Sequence, residues 1–277
     1  MTVALSLLAA VVYGIGDFVG GVASRERSAI ALLLYAYPIG GVLMTLSLLF
    51  VPGHAGMTTV LLGIGGGLSG MVGVILMYSA LAVAPMNVIS PVTAVLSSIV
   101  PVAFAVAVGE RPAINAWFGI VLGIVAVVAV SRTPEDHPHG RVAPRVLAMA
   151  VLAGVGFGAY FICLARSPHS SGAWPVVISR FTSAVLILPL ARATKNVGLL
   201  TGRLLMLACL AGLFDASANL FFLLASRHGY LSLASVITSL YPATTVLLAA
   251  AVLHERTGSV QRLGLFLAAI AIVLITV

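Results

Sequence analysis

Apolar residues run in long blocks along this chain, and charged or polar clusters interrupt them at nearly regular intervals. Breaking the chain at charges, prolines and polar clusters predicts ten spans, at 2–22, 28–51, 58–82, 86–108, 113–131, 145–165, 172–193, 203–225, 230–252 and 258–276. Each is close to the ~20 residues that cross ~30 Å of hydrocarbon as a helix. Helix is required, because lipid offers no partner to an open backbone. The weak alternation of a membrane barrel is not seen. The expected fold is an all-α membrane protein with ten transmembrane helices.

The longest polar connection runs from Arg132 to Pro144 and holds Pro134, Glu135, Asp136, Pro138 and Gly140. It divides the chain into 1–131, a linker at 132–144, and 145–277. The two halves are related in sequence. Adding 145 carries Glu110-Arg111 onto Glu255-Arg256, Gly119 onto Gly264, Thr93 onto Thr238 and Ser90 onto Ser235. Matches among Leu, Val and Ala mean little in so apolar a chain. A Glu-Arg pair between two long apolar runs, found twice in register, means more. Five spans is an odd number, so equivalent spans of consecutive halves would cross in opposite directions. Such inverted repeats are an architecture of secondary transporters. Two similar halves can exchange conformations about a central site, which is what alternating access needs.

Composition agrees with the pattern. The chain is 61% hydrophobic and only 8% charged, where a soluble domain is about 25% charged. Fourteen Lys and Arg stand against seven Asp and Glu. Most of the basic residues lie between apolar runs, so they read as loop charges that set orientation. No nucleic-acid partner is expected; the partners are a lipid bilayer and a small-molecule substrate. The start carries Gly14, Gly16 and Asp17 and lacks a basic leading segment, so it reads as a first span and not as a cleaved signal. Arg25, Arg27, Arg132, Arg141, Arg145, Arg192, Lys195, Arg203, Arg256 and Arg262 fall in or beside odd-numbered loops. Only Arg111, Arg166 and Arg227 fall in even-numbered ones. That bias places odd loops in the cytoplasm and both termini outside.

Glycines crowd the third span. Gly63/Gly67 and Gly66/Gly70 are each four apart, on one helix face. Close helix packing is the first reading; a cavity wall is the second. Pro38, Pro91, Pro101 and Pro242 lie within spans, where each removes a helical hydrogen bond. A static kink and a gating hinge are both open, and Pro242 and Pro101 are the hinge candidates. Glu110 and Glu255 sit at span ends beside Arg. Capping of the fifth and tenth spans is the expected role.

Four polar residues stand deep inside apolar runs: Asp17 in the first span, Arg180 in the seventh, and Asp215 and Asn219 in the eighth. A charge at the bilayer centre costs ~2.5–3.5 kcal/mol on insertion scales. These groups therefore face the interior of the bundle, pair, or are neutral. Asp215 and Asn219 are four apart and share a face. One reading is that Arg180 pairs with Asp17 or Asp215 and locks two helices together. The other is that the cluster lines a substrate path, with Arg180 binding an anionic group and one Asp holding a proton or a cation. Tyr13 and Tyr160 stand beside Gly14-x-Gly16 and Gly156-x-Gly158 in the two halves and are candidates for the cavity wall. No nucleophile–base pair, metal cluster or catalytic carboxylate pair is visible, so no enzyme activity, cofactor or metal is expected.

The two units of apolar run, Pro, apolar run, Glu-Arg and Gly resemble the paired EamA modules of the drug/metabolite transporter superfamily. The second half carries Ser239-Leu240-Tyr241-Pro242, Glu255-Arg256, Gln261 and Gly264. The first half has Ser97 in place of the mid-span Pro, with Pro101 four residues later, and Ala116 in place of Gln. Tyr13-Gly14-Ile15-Gly16-Asp17-Phe18 is similar to the family's Trp-Gly-rich opening helix, with Tyr for Trp. The resemblance implies a ten-helix carrier in the cell membrane that moves small metabolites or drugs, often outward (efflux) and often coupled to protons. It also implies cytoplasmic termini, against the charge bias. A non-transporting receptor or regulatory subunit is the alternative.

Overall fold

The computed structural model describes residues 1–130, 142–253 and 258–276, and these form helices with no strand among the described residues. The helices are α1 (Thr2–Ser24), α2 (Ala29–Ser47), α3 (Met57–Leu81), α4 (Met86–Ala107), α5 (Ile114–Val130), α6 (Pro144–Arg166), α7 (Trp174–Ala193), α8 (Gly202–Arg227), α9 (Leu231–Thr238), α10 (Tyr241–Val252) and α11 (Ser259–Thr276). Among the described residues eight segments are long and apolar enough to cross a membrane: α1 to α4, α6 to α8, and α9 with α10 taken together. The fifth predicted span is the short α5, of 17 residues, and the tenth is α11. Large apolar side chains such as Leu61, Phe118 and Val185 are 63%, 65% and 68% exposed. Hydrocarbon, and not water, is the solvent that tolerates such a surface. The chain is a multi-pass membrane protein.

Two expectations are corrected. The ninth span is not one kinked helix. It ends at Thr238 and restarts at Tyr241, with Ser239 and Leu240 between the two pieces. Pro242 falls in the first turn of α10, where its missing N–H costs nothing and its fixed φ suits a helix start. By contrast α4 runs through Pro91 and Pro101, and α2 through Pro38. Glu110 does not cap the helix that follows it. Its carboxylate accepts the backbone N–H groups of Leu231 and Ser232 at 2.8 and 3.2 Å and the Ser232 hydroxyl at 2.7 Å. It therefore caps α9, a helix of the other half, whose first-turn N–H groups have no partner within the helix. Glu255 lies outside the described residues.

The halves are interleaved. In the register that adds 145, α1 corresponds to α6 and α3 to α8. α1 packs chiefly on α8, and its counterpart α6 packs chiefly on α3. α2 lies on α8 as α7 lies on α3, and α4 on α6 as the α9–α10 pair lies on α1. α5 and α11 pair with each other. α4, α5, α9, α10 and α11 also pack among themselves.

Small residues set how closely the helices approach. A Cβ at Gly212 of α8 would run into the Ala36 carbonyl of α2. At one end of the bundle the α2–α3 and α6–α7 loops lock together. Ala173 donates to the Val51 carbonyl, His54 to the Ser170 carbonyl, and the Trp174 indole to the Gly53 carbonyl, each at 3.0 Å. Gly172 sits there at φ 51°, a left-handed conformation that glycine adopts without strain. Arg227, at the end of α8, donates to Gly172 O at 2.7 Å and to Ser171 Oγ at 3.1 Å, pinning the lock.

Gly212→Ala is expected to destabilise the protein by about 1–3 kcal/mol, since the methyl group meets backbone and not a flexible side chain. A Cβ at Gly198 meets nothing within 4 Å, so Gly198→Ala is the matched control. Thermal unfolding of both variants in detergent checks this; equal midpoints would contradict the packing assigned to Gly212.

Candidate functional site

The polar residues that sequence placed inside the spans meet at the centre of the bundle. Arg180 on α7 forms an ion pair with Asp215 on α8 through Nη1 and Oδ2. Asn219, one turn along α8, donates its side-chain amide to the Asp215 carbonyl at 2.6 Å and to Asp215 Oδ1 at 3.2 Å. Its own oxygen accepts the hydroxyl of Tyr13 from α1. Tyr160 on α6 shares a 3.2 Å hydrogen bond with Ser179, the neighbour of Arg180. The Arg180 guanidinium stands 5.9 Å from the ring centroid of Tyr37 and 6.0 Å from that of Tyr160. A planar cation tolerates aromatic faces well, which eases its burial.

Local sequence explains these positions. Gly67 on α3 lets α7 approach so closely that a Cβ there would lie 2.6 Å from the Ser179 carbonyl. That contact seats Ser179 and Arg180 at the cavity. The Tyr160 ring lies over Gly66 and Gly70, so the glycine-rich helix is both a packing face and a cavity wall. Gly16 on α1 faces Phe214 and Asp215 of α8, which brings the acid up to the first helix.

The cavity is narrow, with about 30 Å³ of space open to the centre of a water-sized sphere, room for a water or two. Asp17, Arg180, Asp215, Asn219, Tyr13 and Tyr160 all line it. Phe157 and Tyr241 also line it, while Phe222 stacks on Phe161 behind the wall with ring centroids 4.1 Å apart. Sequence reasoning missed Tyr37 and Tyr78, which also line it. A hydroxyl on a ring in the middle of an apolar span was the available signal. Two buried atoms at the cavity, Arg180 Nε and Tyr37 Oη, have no hydrogen-bond partner among the described residues. No group of three or more metal-ligating side chains occurs among the described residues.

The chain matches the EamA-like transporter family over residues 1–132 and again over 145–277. It belongs to the EamA-like transporter family. A crystal structure described simply as that of a protein superposes on it with a TM-score of 0.75 at 16% identity, covering 99% of this chain and 96% of that one. That likeness carries the fold alone. No curated protein matches the chain. The two family matches fall on either side of the polar linker, so the wall of the cavity in this EamA-like protein draws on both. Tyr13, Tyr37 and Tyr78 come from the first match and Tyr160, Arg180 and Asp215 from the second. The polar groups are not repeated: in register, Asp215 stands opposite Gly70, Asn219 opposite Val74 and Asp17 opposite Ile162.

Tyr13→Phe removes the donor to Asn219 and leaves a buried amide oxygen without it. A loss of about 1–3 kcal/mol is expected, read as a lower thermal midpoint than wild type. An unchanged midpoint would mean that the α1–α8 bond contributes nothing.

Proposed function

We propose that this EamA-like protein is a secondary transporter that moves a small polar or amphipathic metabolite by alternating access. The observation that carries the reading is the central cavity, walled by both halves and holding an ion pair in its wall. A buried charge pair is a poor device for stability, because desolvation offsets much of its attraction. It is a good device for a carrier, since a pair that opens and re-forms around cargo gives two states of similar energy.

In this reading the chain is two five-helix units, 1–131 and 145–277, joined by the linker and crossing the cell membrane ten times with opposite sense. The exchange-symmetric packing of the helices supports the inversion. Tyr13, Asp17, Tyr160, Arg180, Asp215 and Asn219 form the substrate path. The break at Ser239 and Leu240, beside Pro242, is the hinge, and Pro101 in α4 is its counterpart in the first half. Asp17 and Asp215 are the candidate carriers of a coupling proton, and export is the direction the family resemblance favours.

Joint Arg180→Ala and Asp215→Ala leaves neither charge unpaired. The double variant is expected to reach the membrane at near wild-type level and to lose transport. Counterflow into proteoliposomes preloaded with a metabolite extract, with isotope-labelled extract outside, measures this without knowledge of the cargo. Intact counterflow in the double variant would reduce the pair to a lock between α7 and α8. No counterflow in the wild-type protein would favour a receptor.

A further inference from the structure

The ion pair accounts for two of the three charged groups in the cavity wall. Asp17 is the third. It is 9% exposed and lines the cavity, yet no hydrogen bond or ion pair reaches its carboxylate from any described residue. Its neighbours cannot neutralise it. α8 offers Asp215, already engaged by Arg180 and Asn219. α2, α3 and α10 offer only Tyr37, Tyr78 and Tyr241, and α4 and α9 contain no ionisable side chain. Ionised, Asp17 would leave the wall with one uncompensated negative charge, and an isolated carboxylate at this depth is costly.

The surroundings of Asp17 suit an organic cation. Tyr13 lies one turn before it and Gly20 one turn after it, on the same face of α1. The tip of Tyr78 occupies the space a Cβ at Gly20 would need. On the other side, Gly14 admits the α10 backbone, where a Cβ would lie 2.6 Å from the Tyr241 carbonyl. Asp17 shares the cavity wall with Tyr13, Tyr78 and Tyr241, and aromatic faces attract ammonium groups. A hard metal ion would need about six oxygen ligands, and one carboxylate cannot supply them.

We infer that the cargo carries a single cationic amine, which pairs with Asp17 between Tyr13, Tyr78 and Tyr241. This rests on the transport reading above. When no cargo is present, a proton is the other monocation that removes the charge, so amine and proton compete for one carboxylate. Exchange of one for the other leaves the buried charge of the cavity unchanged.

The test uses the purified full-length chain and three carbon skeletons (butyl, cyclohexyl and phenethyl), each as primary amine, alcohol and carboxylate. Binding is read from thermal stabilisation, since a ligand of the folded state raises the midpoint. Amines are expected to stabilise the wild-type protein, and alcohols and carboxylates not to. Amine affinity is expected to fall about tenfold or more between about pH 8 and about pH 5 as protons compete. In Asp17→Asn the affinity is expected to drop about tenfold or more and to lose its pH dependence. Asp17→Glu keeps the charge and is expected to keep the preference for amines. Stabilisation by alcohols or carboxylates equal to that by amines, no stabilisation by any amine, or unchanged amine binding in Asp17→Asn would each overturn the inference. Counterflow of the tightest-binding probe separates the two levels. Amine binding without counterflow defeats the transport reading and keeps the site. Counterflow of an anion that Asp17→Asn still carries defeats the site and keeps transport.

Discussion

A guanidinium inside a membrane protein has to be matched, and the match between Arg180 and Asp215 governs much of what surrounds it. Two helices, α7 and α8, must bring a cation and an anion to one level. The remaining capacity of the carboxylate then has to be filled, which Asn219 does from one turn away. Asn219 in turn needs a donor, which Tyr13 supplies from α1. Aromatic rings from α2 and α6 cover the guanidinium. One ion pair thus fixes the relative positions of five helices drawn from both halves.

The second requirement is space. Such a cluster forms only where backbones approach closely, and this chain meets that need with glycine at the contact points. Gly16, Gly67 and Gly212 each stand where a methyl group would meet a neighbouring helix. In lipid there is little hydrophobic drive between helices, so close packing and interhelical hydrogen bonds hold them together. The same glycines therefore serve stability and site geometry at once. A substitution at one of them is expected to be felt in both.

Much of the fold was legible in the sequence because the bilayer imposes a length and a composition on every span. The polar cluster was legible for the same reason: charge at that depth stands out against its surroundings. Partner choice was not legible. That Arg180 takes Asp215 and leaves Asp17 depends on helix positions that no local signal encodes. The capping role of Glu110 misled for a related cause. A carboxylate beside a helix start looks like that helix's cap, but the interleaving of the halves delivers it to α9. Tyr37 and Tyr78 were passed over because an aromatic ring in an apolar span reads equally as wall or as filler. The break at Ser239 and Leu240 hides inside a run with the length and hydropathy of a single helix.

Interleaving also has a bearing on how the chain is made. Of the described helices α1 is made first, and its chief neighbours, α8, α9 and α10, come late. Chains emerge at about 5–20 residues per second, so α1 waits for them for most of synthesis. During that interval Gly14 and Gly16 lack the helices they pack against in the finished protein. The helix that carries the unpaired acid of the finished cavity thus spends most of synthesis without its chief neighbours. Whatever holds it there, whether lipid headgroups, water or the insertion machinery, must release it when α8 arrives.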